Sequence, residues 1–424
     1  MREFSPAPGP DGTPDRTSPN RVGTGKRTAP VSRVPLMPPE PRDLDIVLLG
    51  ATGFTGTLIA DYLADHAPSA VRIGLAGRDR EKLEGARART GARYELATVD
   101  ATDGSALRAL TARTRVLITT VGPYLVHGDP VVAACADTGT DYLDLTGEPE
   151  FADLTYLRHH ARALATGARL LHACGFDSVP HDLGAQFTVD QLPEDAPVTV
   201  RAYVRMQGTF SGGTASSALE VLGRIRQGRA VQAVRRQVEP EPEGRSVTID
   251  TGRVGRDPDT GWWVAPMPTI DPLIVAESAR QLPRYGPDFH YSHNWAGGSP
   301  LALAGLLGGA GALVAAAQVP AARRALRRLR PSGSGPSPAQ RGAAWFAVRF
   351  VGEAAGTRVV TEVAGGDPGY SETSKMISEA ALALVLDDLP DTAGQVTTAS
   401  AIGPALRTRL QAAGMTFAVL DQGR

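Results

Sequence analysis

The stretch from Leu44 to Leu63 constrains the fold more than any other part of the chain. Leu44-Asp45-Ile46-Val47-Leu48-Leu49 reads as a buried strand, and Thr57-Leu58-Ile59-Ala60-Asp61-Tyr62-Leu63 reads as a helix. Gly50-Ala51-Thr52-Gly53-Phe54-Thr55-Gly56 joins them directly. Strand, glycine turn and helix start in that order predict the entrance to a dinucleotide site. Without Cβ atoms the chain turns sharply and brings backbone N–H groups against a pyrophosphate. The helix N-terminus adds partial positive charge at the same point. The spacing is GxxGxxG rather than the commoner GxGxxG, so the fingerprint is matched imperfectly.

The end of the next strand decides which dinucleotide to expect. Val71-Arg72-Ile73-Gly74-Leu75-Ala76 reads as that strand, and Gly77-Arg78-Asp79-Arg80 follows it. An NAD enzyme usually places Asp or Glu here to hold the ribose 2′-OH. Gly77 and Arg78 stand there instead, and an arginine forks onto a 2′-phosphate. Taken alone, Arg78 reads as a solvated turn residue. Behind the glycine loop it points to NADP(H).

From 43 to about 175 strands and helices alternate in the βαβ rhythm of a doubly wound parallel sheet. Ligands on such sheets bind beyond the carboxyl ends of the strands. Those ends are Gly50, Gly77-Arg78, Asp100, Gly122-Pro123-Tyr124 and Cys174-Gly175-Phe176-Asp177. Asp100 has two readings of equal weight, an acceptor for the adenine amino group or a cap on the following helix. Gly122 allows close approach of a ribose or nicotinamide, Pro123 stiffens the loop, and Tyr124 falls near the reactive ring or simply packs a corner. Beyond 178 the rhythm changes. Ser178-Val179-Pro180 reads as a capped helix start, Ser211-Gly212-Gly213-Thr214 as another helix start, and 228–265 as mostly loop with two strands. The expected architecture is α/β: a proline-rich extension over 1–42 that should be disordered, a Rossmann-type domain over 43–177, and an α+β domain over 178–424 that closes over the cofactor.

Composition narrows the function classes. The formal net charge is −1, which gives no reason to expect nucleic acid. Cys135 and Cys174 lack metal-ligand spacing and exclude a disulfide framework, as in a reducing compartment. Residues 1–42 carry ten prolines and no apolar signal region, and Met37 is a candidate natural start. Leu301 to Val319 is uncharged, and Arg323, Arg324, Arg327, Arg328 and Arg330 follow before a flexible linker at 331–338. As a helix the run is about 28 Å long, near the ~30 Å of a bilayer core. A span would put the dinucleotide domain outside, away from its cofactor. Two readings stay open: a buried core helix, or peripheral contact of 301–330 with the inner face of the membrane, the protein itself being cytoplasmic.

These motifs resemble the saccharopine dehydrogenase-like family, and more narrowly its trans-acting enoyl reductase branch. The resemblance rests on the 50–56 loop, Ala76-Gly77-Arg78, Val121-Gly122-Pro123-Tyr124, Tyr142-Leu143-Asp144-Leu145-Thr146-Gly147-Glu148 and Cys174-Gly175-Phe176-Asp177-Ser178-Val179-Pro180. Ser211-Gly212-Gly213-Thr214, Asp271-Pro272-Leu273-Ile274 and the pattern from Gly403 to Phe417 extend it over about 44 to 420. It implies an NADP(H)-binding fold. For the branch it implies reduction of an enoyl thioester on a carrier-bound, lipid-forming polyketide, with a polyketide synthase as partner. Such a reaction needs an acid and an enolate-stabilising donor. Tyr124 and the amides at the Ser178 helix start are candidate donors, and Asp177 and His181 are candidate acid–base groups. Asp177 also reads as a helix cap, and His181 as an exposed first-turn residue. No carboxylate pair or metal cluster is evident, and the Tyr-x-x-x-Lys pair of short-chain dehydrogenases is absent. A non-catalytic NADP(H)-binding protein on a membrane or lipid is the alternative, and an amino-acid or saccharopine-type dehydrogenase a third.

Overall fold

Alternation along the first strand sets up the layers. In β1 (Leu44–Leu49), Ile46 and Leu48 feed one apolar cluster, while Val47 and Leu49 feed another on the opposite face. A strand buried on both faces belongs in the middle of a parallel sheet. The computed structural model describes residues 42–208, 221–319 and 335–423, and β1 sits centrally in it. The strands β2 (Ile73–Gly77), β3 (Glu95–Thr98), β4 (Thr114–Thr119), β5 (Asp141–Leu143) and β6 (Arg169–Leu171) add in parallel. A seventh strand, β14 (Gly394–Val396), pairs with β6 from far along the chain. The order β14-β6-β5-β4-β1-β2-β3 contains the doubly wound reversal between β1 and β4, where such sheets open a crevice. The helices α1 (Phe54–His66), α2 (Arg80–Thr90) and α12 (Ser371–Leu386) cover the Ile46 face. The opposite face carries α3 (Gly104–Ala112), α5 (Asp129–Thr138) and α6 (Pro149–Thr166).

The second sheet is mixed. It contains β7 (Val198–Gln207), β8 (Ser246–Ile249), β9 (Gly255–Arg256), β10 (Trp263–Pro266) and β11 (Asp288–Gly297). The remaining strands are β12 (Trp345–Ala354), β13 (Thr357–Gly365) and β15 (Thr416–Gly423). The order is β15-β13-β12-β7-β11-β10-β9, with β8 also on β11. Long antiparallel ladders join β12 to β7 and β13, and β7 runs parallel to β11. Helices α7 (Val179–Val189), α9 (Asp271–Gln281) and α13 (Thr398–Ala412) pack Val179, Leu183, Val275, Ile402 and Leu406 into the same cluster as Val200, Phe289, Phe346 and Phe350. That cluster also contains Ile46 and Leu48, so one apolar core runs through both sheets.

Four regions differ from expectation. Residues 225–238 form α8 (Ile225–Val238) instead of loop. Its buried residue is Arg235, caged by Asp153, Glu239 and Glu277 at 2.7–3.1 Å. An ion cage leaves no apolar periodicity to read. Strands β11, β14 and β15 were not anticipated. The expected helix start Ser211-Gly212-Gly213-Thr214, the extension 1–41 with Met37, and the arginines at 323–330 lie outside the described residues.

The uncharged segment is α10 (Pro300–Ala317), capped by Ser299, which accepts from the Ala302 amide at 3.1 Å. It is not a core helix. Only Leu303 and Ala317 are buried, and Leu301 is 82% exposed. The expected linker ends where α11 (Pro338–Gly342) begins, a helix start that Ser337 and Gln340 close in a capping box.

Candidate cofactor and active site

Backbone geometry makes the glycine loop a cradle. Gly50 takes φ +89°, and a Cβ there would lie 2.6 Å from Thr120 Oγ1. Only glycine meets both demands cheaply. The Gly53 amide turns back onto the Gly50 carbonyl at 3.1 Å. The Thr57 amide then makes the first helical bond, to the Gly53 carbonyl at 2.8 Å. The amides of Phe54, Thr55 and Gly56 precede that bond, and among the described residues no side chain caps them. Three uncommitted donors at a helix N-terminus fit a pyrophosphate. Thr52 and Gly53 are exposed, Ala51 and Gly56 buried, and Phe54 packs edge-on against Tyr370 at 4.7 Å.

Gly77 ends β2, and Arg78 just beyond it is exposed with no ion pair among the described residues. Its neighbours are occupied elsewhere: Asp79 caps α2 and pairs with Lys82, and Arg80 pairs with Glu84. A free guanidinium at this strand end fits a 2′-phosphate. Asp100 does not cap α3, a task performed by Asp103. Its Oδ1 accepts from the amide and hydroxyl of Thr102 at 2.8 and 2.7 Å, closing a turn.

Gly122 is exposed after β4, and Pro123 precedes the short helix α4 (Tyr124–His127). Tyr124 is buried, with its hydroxyl committed to backbone. It donates to the Thr119 carbonyl and accepts from the Leu145 amide, both at 3.2 Å. The buried carboxylate of Glu148 takes the Tyr124 and Leu125 amides at 3.2 and 2.9 Å. Tyr124 therefore staples strand ends together, a packing role open to a tyrosine at that corner.

Asp144 is the hub of the neighbouring loops, a role the sequence did not single out. Fully buried, it accepts from the Tyr142 hydroxyl (2.9 Å), the Thr146 amide (3.0 Å) and the Ala173 amide (2.8 Å), and pairs with His172 Nδ1 (2.7 Å). Thr155 holds the other His172 nitrogen at 2.9 Å. This network pins the Cys174–Asp177 turn beyond β6, where Ala173 takes φ +58°. Thr373, at the start of α12, receives the Phe176 amide at 3.0 Å.

Asp177 is half-buried beside Gly147 and has no hydrogen-bond partner among the described residues. Burial, reinforced by the charge of Asp144, pushes its carboxyl up to about 6. It does not cap the following helix. Nor does Ser178 cap through its side chain, since the hydroxyl donates to the Ala173 carbonyl at 2.7 Å. The Ser178 and Val179 amides both bond the Gly175 carbonyl, so they are not free oxyanion donors. His181 is fully buried, against the expected exposed position, because α7 turns that face toward β11. Cys174 is buried, and desolvation pushes its thiol well up, so it offers no nucleophile.

Comparison with known proteins agrees with this geometry. The family model of the saccharopine dehydrogenase NADP binding domain matches residues 46–170. The trans-acting enoyl reductase of Mycobacterium leprae is 34% identical over 425 residues, covering 90% of this chain and 99% of its own. The chain belongs to the saccharopine dehydrogenase-like family, in its trans-acting enoyl reductase branch. The trans-acting enoyl reductase of Mycobacterium tuberculosis H37Rv is 35% identical over 433 residues, with 90% of this chain and 99% of that one covered. The saccharopine dehydrogenase (L-Glu forming) of Saccharomyces cerevisiae shares the fold at TM-score 0.52 and 14% identity, over 89% of this chain and all of that one. This oxidoreductase uses NADP(H). The 50–56 loop and Arg78 are the groups whose free donors suit that cofactor.

Proposed function

We propose that this oxidoreductase reduces the α,β double bond of an enoyl thioester borne on a lipid-forming polyketide intermediate, delivered in trans by its synthase. The observation that carries the reading is the 34–35% identity, over nine-tenths of the chain, to relatives named trans-acting enoyl reductases. The cofactor supplies a hydride for Cβ. Asp177 holds the proton for Cα: it is the carboxyl at the strand ends that is half-buried, free of hydrogen-bond partners among the described residues and weakened as an acid by burial. The Gly147 amide is uncommitted among the described residues, and Gly147 lies beside the Asp177 carboxyl, which suits that amide to a developing enolate oxygen.

Peripheral contact with an anionic inner membrane face accompanies this chemistry. Support comes from α10, a helix of mean hydropathy 1.8 with only 11% of its residues buried. Five arginines follow it within 323–330, complementary to anionic headgroups. Burying an exposed leucine is worth about 1.5–3 kcal/mol, and Leu301, at 82% exposure, offers most of such a side chain at the start of the helix. Cosedimentation with phosphatidylglycerol vesicles tests it: binding should fall with added phosphatidylcholine and vanish in a Leu301→Glu/Leu307→Glu variant.

The activity is tested by NADPH consumption with a long-chain trans-2-enoyl thioester, on pantetheine or an acyl carrier, against saccharopine as control. Turnover of the enoyl thioester alone is expected. Tight NADPH binding without turnover of any enoyl thioester would leave the non-catalytic reading standing.

A further inference from the structure

Three groups that lie far apart in sequence converge where α7, α9 and β11 meet. His181 on α7, Asp271 at the first position of α9 and His293 on β11 are each buried, at 0%, 2% and 4% exposure. His181 Nε2 lies 3.2 Å from Asp271 Oδ1, and His293 Nε2 lies 3.8 Å from Asp271 Oδ2. The two imidazoles cross at 86° with centroids 4.8 Å apart. One donor atom from each side chain lies within 4.8 Å of the other two.

As a closed polar cluster this arrangement is poorly satisfied. Among the described residues, no ring nitrogen of His181 makes an aligned hydrogen bond, and His293 Nε2 is likewise unpartnered. Burial holds both imidazoles neutral, with His293 pushed down to about 3, and it holds the Asp271 carboxyl well above the usual range. Leaving buried polar atoms unpaired costs about 1–3 kcal/mol each. The remaining contacts have the form of an outer shell. His293 Nδ1 meets the Tyr291 hydroxyl at 3.0 Å, which turns Nε2 toward the cluster. The Phe176 carbonyl lies near His181, and the Thr269 hydroxyl lies near Asp271. Metal-binding histidines are held through their second nitrogen in this way.

We propose that His181, Asp271 and His293 bind one divalent transition-metal ion of the zinc type. Two imidazoles and one carboxylate are a zinc donor set. A tetrahedral ion with bonds of about 2.0–2.1 Å needs donors about 3.3–3.4 Å apart. Each imidazole Nε2 is already within half an ångström of that from one oxygen of Asp271, His181 from Oδ1 and His293 from Oδ2. The ion would cross-link α7, α9 and β11 directly behind the Phe176-Asp177 turn, since Phe176 packs edge-on against His181 at 5.3 Å. It would fix the turn that carries the proposed acid without touching the nicotinamide site. The inference concerns metal binding alone and stands apart from the substrate reading.

The test uses the full-length protein, stripped with chelator, desalted and titrated with Zn²⁺, then with Co²⁺ as a spectroscopic probe. One Zn²⁺ per chain, a raised melting temperature and a Co²⁺ ligand-field spectrum of nitrogen and oxygen donors are expected. His293→Gln and Asp271→Asn should each weaken Zn²⁺ binding by more than about 100-fold, since even outer-shell losses cost 10–100-fold. Failure of the stripped wild-type protein to retain Zn²⁺, or unchanged affinity in both variants, overturns the site. Should the variants not fold, the wild-type Co²⁺ spectrum decides, and a spectrum of hydrated ion refutes the proposal.

Discussion

Replacing Gly56 by alanine probes the cradle most directly. A Cβ at that position would lie 2.2 Å from the Gly50 carbonyl oxygen, 2.9 Å from its carbon and 3.0 Å from Ala51 Cα. All three atoms are backbone, so no side chain can rotate away. Restoring a 3.4 Å contact from 2.2 Å requires the start of α1 to withdraw by about 1.2 Å. Overpacking of this kind costs about 1–3 kcal/mol of stability. The same shift draws the Phe54, Thr55 and Gly56 amides away from a pyrophosphate. A hydrogen bond to a charged group contributes about 1.5–3 kcal/mol, so losing one weakens NADPH binding roughly 10- to 150-fold. Calorimetric titration with NADPH and a thermal melt of the same sample read both effects. Gly53→Ala is the control, because its nearest neighbour would be the Gly50 oxygen at 3.4 Å, and its melting temperature should hold. A Gly56→Ala protein that melts at the wild-type temperature and binds NADPH within twofold of wild type would refute the assignment of the cradle.

Arg78→Ala should weaken NADPH at least about tenfold while leaving NADH affinity and melting temperature unchanged, as titrations with the two cofactors would reveal. Asp144→Ala strips an acceptor from two side chains and two amides and should cost about 3–5 kcal/mol in urea unfolding. For Asp177 the sign is fixed by its raised pKa: the folded state holds that proton more tightly than the unfolded chain. Its stabilising effect is complete below the ordinary value of 3.8 and is lost as pH climbs through about 6. Turnover should decline above about pH 6 for the same reason, and Asp177→Asn should both lower turnover and flatten that profile. Gly85→Ala, mid-helix with nothing within 4 Å, should raise stability by about 1 kcal/mol in the same melts.

Much of the cofactor side was legible because its signals are local. A glycine that must take positive φ, an arginine where a carboxylate would otherwise stand and an apolar strand between turns are all written within a few residues. β7, β10, β12, β13 and α9 were readable for the same reason. The active-site interior was not. Asp144 looks like any strand-end acid until His172 and the Ala173 amide arrive from 28 and 29 residues away. The commitment of the Tyr124 hydroxyl to backbone depends on how β4 and β5 end side by side. The cluster of His181, Asp271 and His293 has no spacing to recognise, because three separate elements supply it. Strand β14 is three residues long and gains its identity only from pairing with β6.

That short strand has a consequence for how the molecule can be dissected. The layer that grips the nucleotide is finished by residues synthesised late, after every strand of the mixed sheet except β15 has been laid down. A fragment ending at residue 177 would display the bare margin of β6, and the loss of α12 would uncover the apolar side of α1. Such a piece would tend to self-associate at that raw border. The two sheets also share more than one tether, so any movement between them is better pictured as a slide of packed layers than as the swing of a door on a single pin.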